Sequence, residues 1–284
     1  MAITRVNGVQ LFWEMRGEAG DLLVLVHGSW GDHHNWDAVV SGLARSFRVL
    51  TYDRRGHSQS ERPSGQGHVE EDVADLAALI DHIGPGPAHI AGSSFGAAIT
   101  LRLAGQRPEL FRSLIVHEPP VFRLLDHDPH AQAALSAIDA RIRVVIHMLE
   151  AHDALGGARQ FVETIAFGPG AWDHLPPAVR DTFVFNASTW LDEVQDPDSL
   201  ALNLDRLRAF SAPSLLTFGG QSPPFFPLVL KQIAQAMPTA VTSTFPTAGH
   251  VPHLTNSAEY VSTVTTFAHG ATPARERQRD TPRG

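Results

Sequence analysis

The stretch Ala88-His89-Ile90-Ala91-Gly92-Ser93-Ser94-Phe95-Gly96-Ala97-Ala98 constrains this chain more than any other. It reads as a short strand, a Gly-x-Ser-x-Gly core and a helix over 95–106. A residue at the apex of so tight a strand-to-helix turn holds a strained backbone, and its neighbours two positions away on each side must be very small. Gly92 and Gly96 meet that need, while Ser93 and Ala97 keep the surroundings small. The Ser94 hydroxyl is then lifted out of the sheet, where a base and a substrate can reach it. The five-residue pattern is weak alone; the strand before it and the helix after it give it weight.

The rest of the chain supplies a frame for such a turn. A hairpin is expected over 3–15 with its turn at Asn7-Gly8, a strong turn signal between apolar runs. Leu22-Leu23-Val24-Leu25-Val26 is continuously apolar, the mark of a parallel-sheet strand buried on both faces, and it runs into His27-Gly28-Ser29-Trp30-Gly31. A helix over 33–45, a strand over 47–52 and the turn Asp53-Arg54-Arg55-Gly56-His57-Ser58 follow. The helix over 69–83 places Val73, Leu76, Leu79, Ile80 and Ile83 on one face. Leu114-Ile115-Val116 is a further buried strand, ending in His117-Glu118-Pro119-Pro120.

From 121 to 208 the strand rhythm stops, and the segment reads as helices with joints at Pro169, Pro176-Pro177 and Pro197. Strands return over 214–218 and 240–245, with helices over 225–236 and 257–268. Such alternation implies a mostly parallel sheet with helices on both faces. We therefore expect an α/β core domain from 1–120 and 209–270, an inserted helical cap over 121–208 and a disordered tail over 271–284.

Composition narrows the function. The formal net charge of -8 argues against a nucleic-acid or anionic-membrane partner. Cysteine is absent, which excludes disulfides, a thiolate nucleophile and a Cys-ligated metal. The N-terminus lacks the apolar run of a signal peptide, so a cytoplasmic location is expected. His33 and His34 point apart on a helix, and no metal site is expected. Arg54 and Arg55 are expected to form ion pairs.

Four motifs in order resemble the α/β-hydrolase fold family: His27-Gly28 after a buried strand, Asp53 to Ser58 after the next, the Gly92 to Gly96 turn, and Ala248-Gly249-His250 near the C-terminus. The resemblance covers roughly 3–269 and implies an eight-stranded sheet, a lid, no cofactor and a Ser-His-acid triad. Ser94 is the expected nucleophile. Its hydroxyl is too weakly acidic to act without a neighbouring base. His250, late in the chain in a Gly-containing loop, matches the family's order, with His253 the alternative. The oxyanion hole would take the backbone N–H of Phe95 and, by resemblance, that of Ser29, with Trp30 as second choice.

The acid departs from the common family pattern. The turn where an Asp is usual reads Gly219-Gly220-Gln221-Ser222-Pro223-Pro224, and Ser222 carries no charge. Glu118, at the end of the neighbouring strand, is the expected replacement. The segment His117 to Pro120 with Leu124-Leu125-Asp126 locally resembles zearalenone-lactonase-type enzymes, which carry a Glu there. Asp126 and Asp128 are weaker candidates. Trp30, Trp172, Phe183 and Trp190 are candidate substrate contacts, each equally well explained as packing.

These residues lead to a cofactor-independent serine hydrolase acting on an ester or lactone of a mostly apolar small molecule, with a homodimer left open. A carbon–carbon bond hydrolase with the same triad, a ligand-binding relative without turnover, and a non-hydrolytic member remain alternatives. An Asp nucleophile of the dehalogenase or epoxide hydrolase kind is disfavoured, because Ser94 stands in its place.

Overall fold

The run Leu22–Val26 is buried along its whole length, as its unbroken apolar character requires. A computed structural model describes residues 1–84 and 86–271 of the chain. The expected tail therefore lies almost wholly outside the described residues, and Ala271 itself closes a helix, Ser257–Ala271.

Eight strands form one sheet: β1 Ala2–Val6, β2 Val9–Arg16, β3 Leu22–Val26, β4 Arg48–Tyr52, β5 Ala88–Ser93, β6 Phe111–His117, β7 Ser214–Gly219 and β8 Ala240–Phe245. Their order is β1-β2-β4-β3-β5-β6-β7-β8. β2 is antiparallel to both its neighbours, and every pairing from β4 to β8 is parallel. The β1–β2 turn uses Asn7 and Gly8, both at positive φ (46° and 79°), as a tight hairpin demands. β6 starts three residues earlier than its most apolar run suggests, because Phe111 to Ser113 lie against β5 although Arg112 and Ser113 are polar.

Two apolar layers sandwich the sheet. On one face, helices Val69–Ile83, Phe95–Gln106 and Phe225–Ala236 bury Leu76, Ile80, Leu103, Val229 and Ile233. On the other, Trp36, Leu43, Tyr260 and Val264 pack over Leu23, Leu25 and Ile115. Each large side chain fully removed from water contributes about 1.5–3 kcal/mol before entropy is counted.

Between β6 and β7 the chain is helical, with Gln132–Glu150, Ala154–Phe161, Pro177–Phe185 and Ala187–Gln195 as its main elements. These helices share a third apolar cluster of their own: Val145, Leu149, Val162, Trp172 and Trp190, joined by Trp30 from the β3 loop. The margins of the segment behave differently. Val121, Leu125, Ala131 and Leu207 pack into the sheet's core. Among the described residues no helix is long and apolar enough to cross a membrane.

Candidate active site

Ser94 follows β5 directly and carries φ 55° and ψ -124°. Such values are costly for a residue with a side chain and persist only where the surroundings enforce them. The enforcement is steric. A Cβ at Gly92 would lie 2.5 Å from the Gly96 carbonyl oxygen, and one at Gly96 would lie 2.2 Å from that of Val26. The turn thus closes against itself and against β3. Phe95 opens the helix, so its N–H is among those with no partner inside the helix, at the helix's positive end.

The β3 loop comes equally close. A Cβ at Gly28 would lie 2.9 Å from the Ser94 Cβ, so only glycine lets residues 28 and 29 lie against Ser94. The carbonyl of Gly28 is held from the core side. The backbone N–H of Arg54 donates to His27 Nε2 at 3.1 Å, which leaves His27 Nδ1 to donate to the Gly28 oxygen at 2.8 Å. Burial, helped by the nearby Arg54 charge, keeps His27 neutral, with its pKa lowered to about 3. In a trans peptide the C=O and N–H point in opposite directions. Fixing the Gly28 carbonyl therefore fixes the Ser29 N–H as well.

Glu118 directly follows β6 with φ 46°, a second strained residue in the same layer. Its carboxylate is fully buried and bridges two strand ends. Oε1 accepts from the Gly219 N–H at 2.8 Å, and Oε2 accepts from His250 Nδ1 at 2.5 Å. Burial pushes Glu118 upward, but the hydrogen bond and charge of His250 outweigh it, and the Ser222 hydroxyl beside it adds to the same effect. The carboxyl is held below its ordinary range. The turn after β7 therefore supplies a backbone amide to a carboxylate that comes from the end of β6. Gly219 makes the approach feasible: a Cβ there would lie 2.4 Å from the Gly249 carbonyl oxygen.

His250 is part-exposed, stacked on Phe226 with centroids 5.2 Å apart and rings 19° from parallel. With Nδ1 committed to Glu118, its Nε2 is free to serve as the base. The two halves of the site are tied through adjacent residues, since the Ser94 N–H donates to the His117 oxygen at 2.8 Å and Glu118 comes next. His253 sits elsewhere, fully buried against Trp36 at 4.7 Å, with both ring nitrogens unpartnered. Burial lowers it to about 3. Asp126 is exposed on the turn leading into the cap.

The four aromatic candidates form one cluster. Trp30 packs on Trp190 at 5.0 Å and on Phe183 at 5.8 Å, while Trp172 is buried in the same group. Trp30, Trp172 and Trp190 thus build the core shared by the helices between β6 and β7, and Phe183 is partly buried at its edge. Arg54 and Arg55 are ion-paired, Arg54 with Asp72 and Glu193 and Arg55 with Glu71 and Asp75.

Among the described residues, two groups of three metal-competent side chains lie within 4.8 Å: His117, Glu118 and His250, and Asp32, His33 and Asp53. The first is the site just described. In the second, His33 Nδ1 and its backbone N–H both donate to Asp53, and Asp32 accepts from the Ser58 hydroxyl. A surface cleft lined by Arg62, Gln66, His68 and Asp192 includes neither Ser94 nor His250.

The chain matches one family model, that of the alpha/beta hydrolase family, over residues 23–263. The chain belongs to the alpha/beta hydrolase family. It is 41% identical over 110 residues to the dihydrolipoyllysine-residue acetyltransferase component of the acetoin cleaving system of Pseudomonas putida, covering 38% of this chain and 30% of that protein. It is 38% identical over 131 residues to the uncharacterized hydrolase YraK of Bacillus subtilis (strain 168), covering 45% of this chain and 48% of that protein. The chain thus matches a third to a half of the length of these relatives. Among solved structures, the enol-lactonase of Burkholderia xenovorans LB400 matches with a TM-score of 0.68 at 21% identity, over 94% of this chain and 99% of that one. A thermophilic esterase of Thermogutta terrifontis matches with a TM-score of 0.73 at 23% identity, over 95% and 97%. At such identities the structural likeness speaks for the fold alone.

The sequence offered little sign of several supporting residues. Phe226 stacks on His250 through packing that only the folded chain brings about, and the bonds by which His27 holds the Gly28 carbonyl are equally invisible in its motif.

Proposed function

We propose that this protein is a cofactor-independent serine hydrolase that cleaves an ester or lactone of a mostly apolar small molecule. The observation that carries the reading is the bond from His250 Nδ1 to Glu118 Oε2, at 2.5 Å, set one residue beyond the strand end that holds Ser94. His250 Nε2 takes the Ser94 proton as the hydroxyl oxygen attacks the substrate carbonyl. The N–H groups of Ser29 and Phe95 receive the developing oxyanion. Glu118 keeps the imidazole in the tautomer with Nδ1 protonated and stabilises the imidazolium. His250 then protonates the departing alcohol, and water, activated by the same imidazole, releases the acid from Ser94.

Two things support an ester or lactone over other substrates: a serine where an epoxide hydrolase or dehalogenase of this fold uses a carboxylate, and the local resemblance around Glu118 to zearalenone-lactonase-type enzymes. The test is hydrolysis of p-nitrophenyl butyrate and of a simple aryl-substituted lactone by wild type and Ser94→Ala, alongside fluorophosphonate labelling. Turnover and labelling that both vanish in Ser94→Ala are expected. Wild-type protein that neither labels nor turns over any short ester or lactone would overturn the reading.

A further inference from the structure

The helix Ala187–Gln195 presents an unusual face. Asn186, Thr189, Trp190 and Glu193 follow the i, i+3, i+4, i+7 spacing of a core-facing stripe, yet three of the four are polar. Asn186 is fully buried and Glu193 nearly so. A buried amide and carboxylate at such positions are costly unless each is bonded. Their partners lie in the β3 loop, residues 28–31.

Asn186 Nδ2 donates to the carbonyl oxygens of Trp30 at 3.2 Å and Gly31 at 3.0 Å, and Oδ1 accepts from the Ser58 N–H at 2.9 Å. Glu193 Oε2 accepts from the Ser29 hydroxyl at 2.5 Å. Its other oxygen accepts from Arg54, whose guanidinium also donates to the Gly28 oxygen at 3.3 Å. Between them the Trp30 ring inserts beside Trp190, and its backbone sits at φ 67°, a conformation that a bulky residue adopts only under constraint. Each residue of the loop is thus gripped, and three of the four are gripped from the cap.

We propose that Asn186 and Glu193 are positioning residues that hold the backbone of residues 28–31 in the conformation presenting the Ser29 N–H to the reacting oxygen. The cap is then a part of the oxyanion hole's support as well as a cover. The catalytic consequence rests on the hydrolase reading above; the structural one does not. Strain at Trp30 gives the clamp its purpose: without the two cap side chains the loop relaxes, and a donor displaced by about 1 Å costs on the order of 10²-fold in rate.

The experiment compares wild type with Ser29→Ala, Asn186→Ala, Glu193→Gln and the Ser29→Ala/Glu193→Gln pair. Thr189→Val serves as the control, removing a cap hydrogen bond to the Gly56 oxygen that does not touch the loop. Amide hydrogen exchange across 28–31 is followed together with thermal melts and p-nitrophenyl butyrate kinetics. Exchange in the loop is expected to rise about tenfold in Ser29→Ala and Asn186→Ala and to stay at the wild-type rate in Thr189→Val. Turnover should fall about tenfold or more with KM within about twofold, and the pair should lose less than the two single losses combined because the two residues share one bond, Glu193→Gln also weakening the pairing with Arg54. Should Asn186→Ala fail to fold, Ser29→Ala, which removes only a hydroxyl, decides. Unchanged exchange in folded Ser29→Ala overturns the clamp. Faster exchange with unchanged turnover overturns its catalytic role. Exchange does not depend on turnover, so an inactive wild type counts against the hydrolase reading while the clamp is still judged on exchange.

Discussion

Glu118 and His250, 132 residues apart, meet at 2.5 Å across the ends of β6 and β8. The pair forms because Glu118 turns back at positive φ and because Gly219 lets the loop after β8 settle onto the β7 end. Glu118→Gln keeps the shape but offers an amide where the imidazole needs an anion. Turnover of an active ester should fall by roughly 10³–10⁴-fold, as for other triad acids, with circular dichroism unchanged. Asp126→Asn should remain within about threefold of wild type, since Asp126 is solvent-exposed. Full activity in Glu118→Gln would mean that another group orients His250.

Gly28 offers a second test. Its missing Cβ would stand 2.9 Å from that of Ser94, so Gly28→Ala must push the loop and the nucleophile apart. We expect roughly 10²-fold lower kcat with the fold intact by circular dichroism. A normal kcat would show that the loop can retreat without consequence.

Acid should destabilise the protein through its buried histidines. Burial lowers His27 and His253 to about 3 and His117 to about 4, against 6.5 for the unfolded residue. Below pH 6.5 the unfolded chain binds protons that the folded one refuses, so stability falls as pH drops from about 6.5 toward 3–4. Glu118, held below its ordinary 4.5, adds to the loss at the lower end of that window. His33 works the other way. Burial lowers it, but bonding to Asp53 outweighs burial and raises it, so its contribution is complete below 6.5 and fades as pH rises through the raised value. With His57 and His89 lowered by burial as well, five rings stand against one, and the urea midpoint should be clearly lower at pH 5 than at pH 7.5. Equal midpoints would contradict the burial of these rings.

His253→Leu separates the two late histidines. The ring touches Trp36 and has no hydrogen-bond partner, so turnover should stay within about threefold. The variant should also lose part of the acid sensitivity, because one proton-binding difference is gone. A loss of turnover on the scale of His250→Ala would reassign the base.

Trp190 tests whether the cap has a core of its own. It is buried with Trp30, Trp172 and Val162. Trp190→Ala should cost about 3–5 kcal/mol in the stability of that unit, seen as an early transition in melts or as faster amide exchange over 132–195. A melt identical to wild type would place the ring's importance elsewhere.

The sequence by itself determined the sheet and the strained serine at the end of one strand. Leu22–Val26 could only be a strand buried on both faces, the spacing of Val73, Leu76 and Ile80 could only face a core, and Gly92 with Gly96 left Ser94 at a strained apex. These are local properties, written in period and side-chain size. Even the missing acid at Ser222 was visible, along with the neighbouring strand end that carries a carboxylate. Tertiary structure decided what is made by distant segments meeting. It decided that Gly219 serves the carboxylate at the end of β6, that Trp30 belongs to the core of the helices between β6 and β7, and that Asn186 and Glu193 reach back to the loop beside Ser94. A polar residue on a helix gives the same sequence signal whether it faces water or a partner more than 150 residues away, because only the folded chain fixes which of the two removes its hydrogen-bonding groups from solvent.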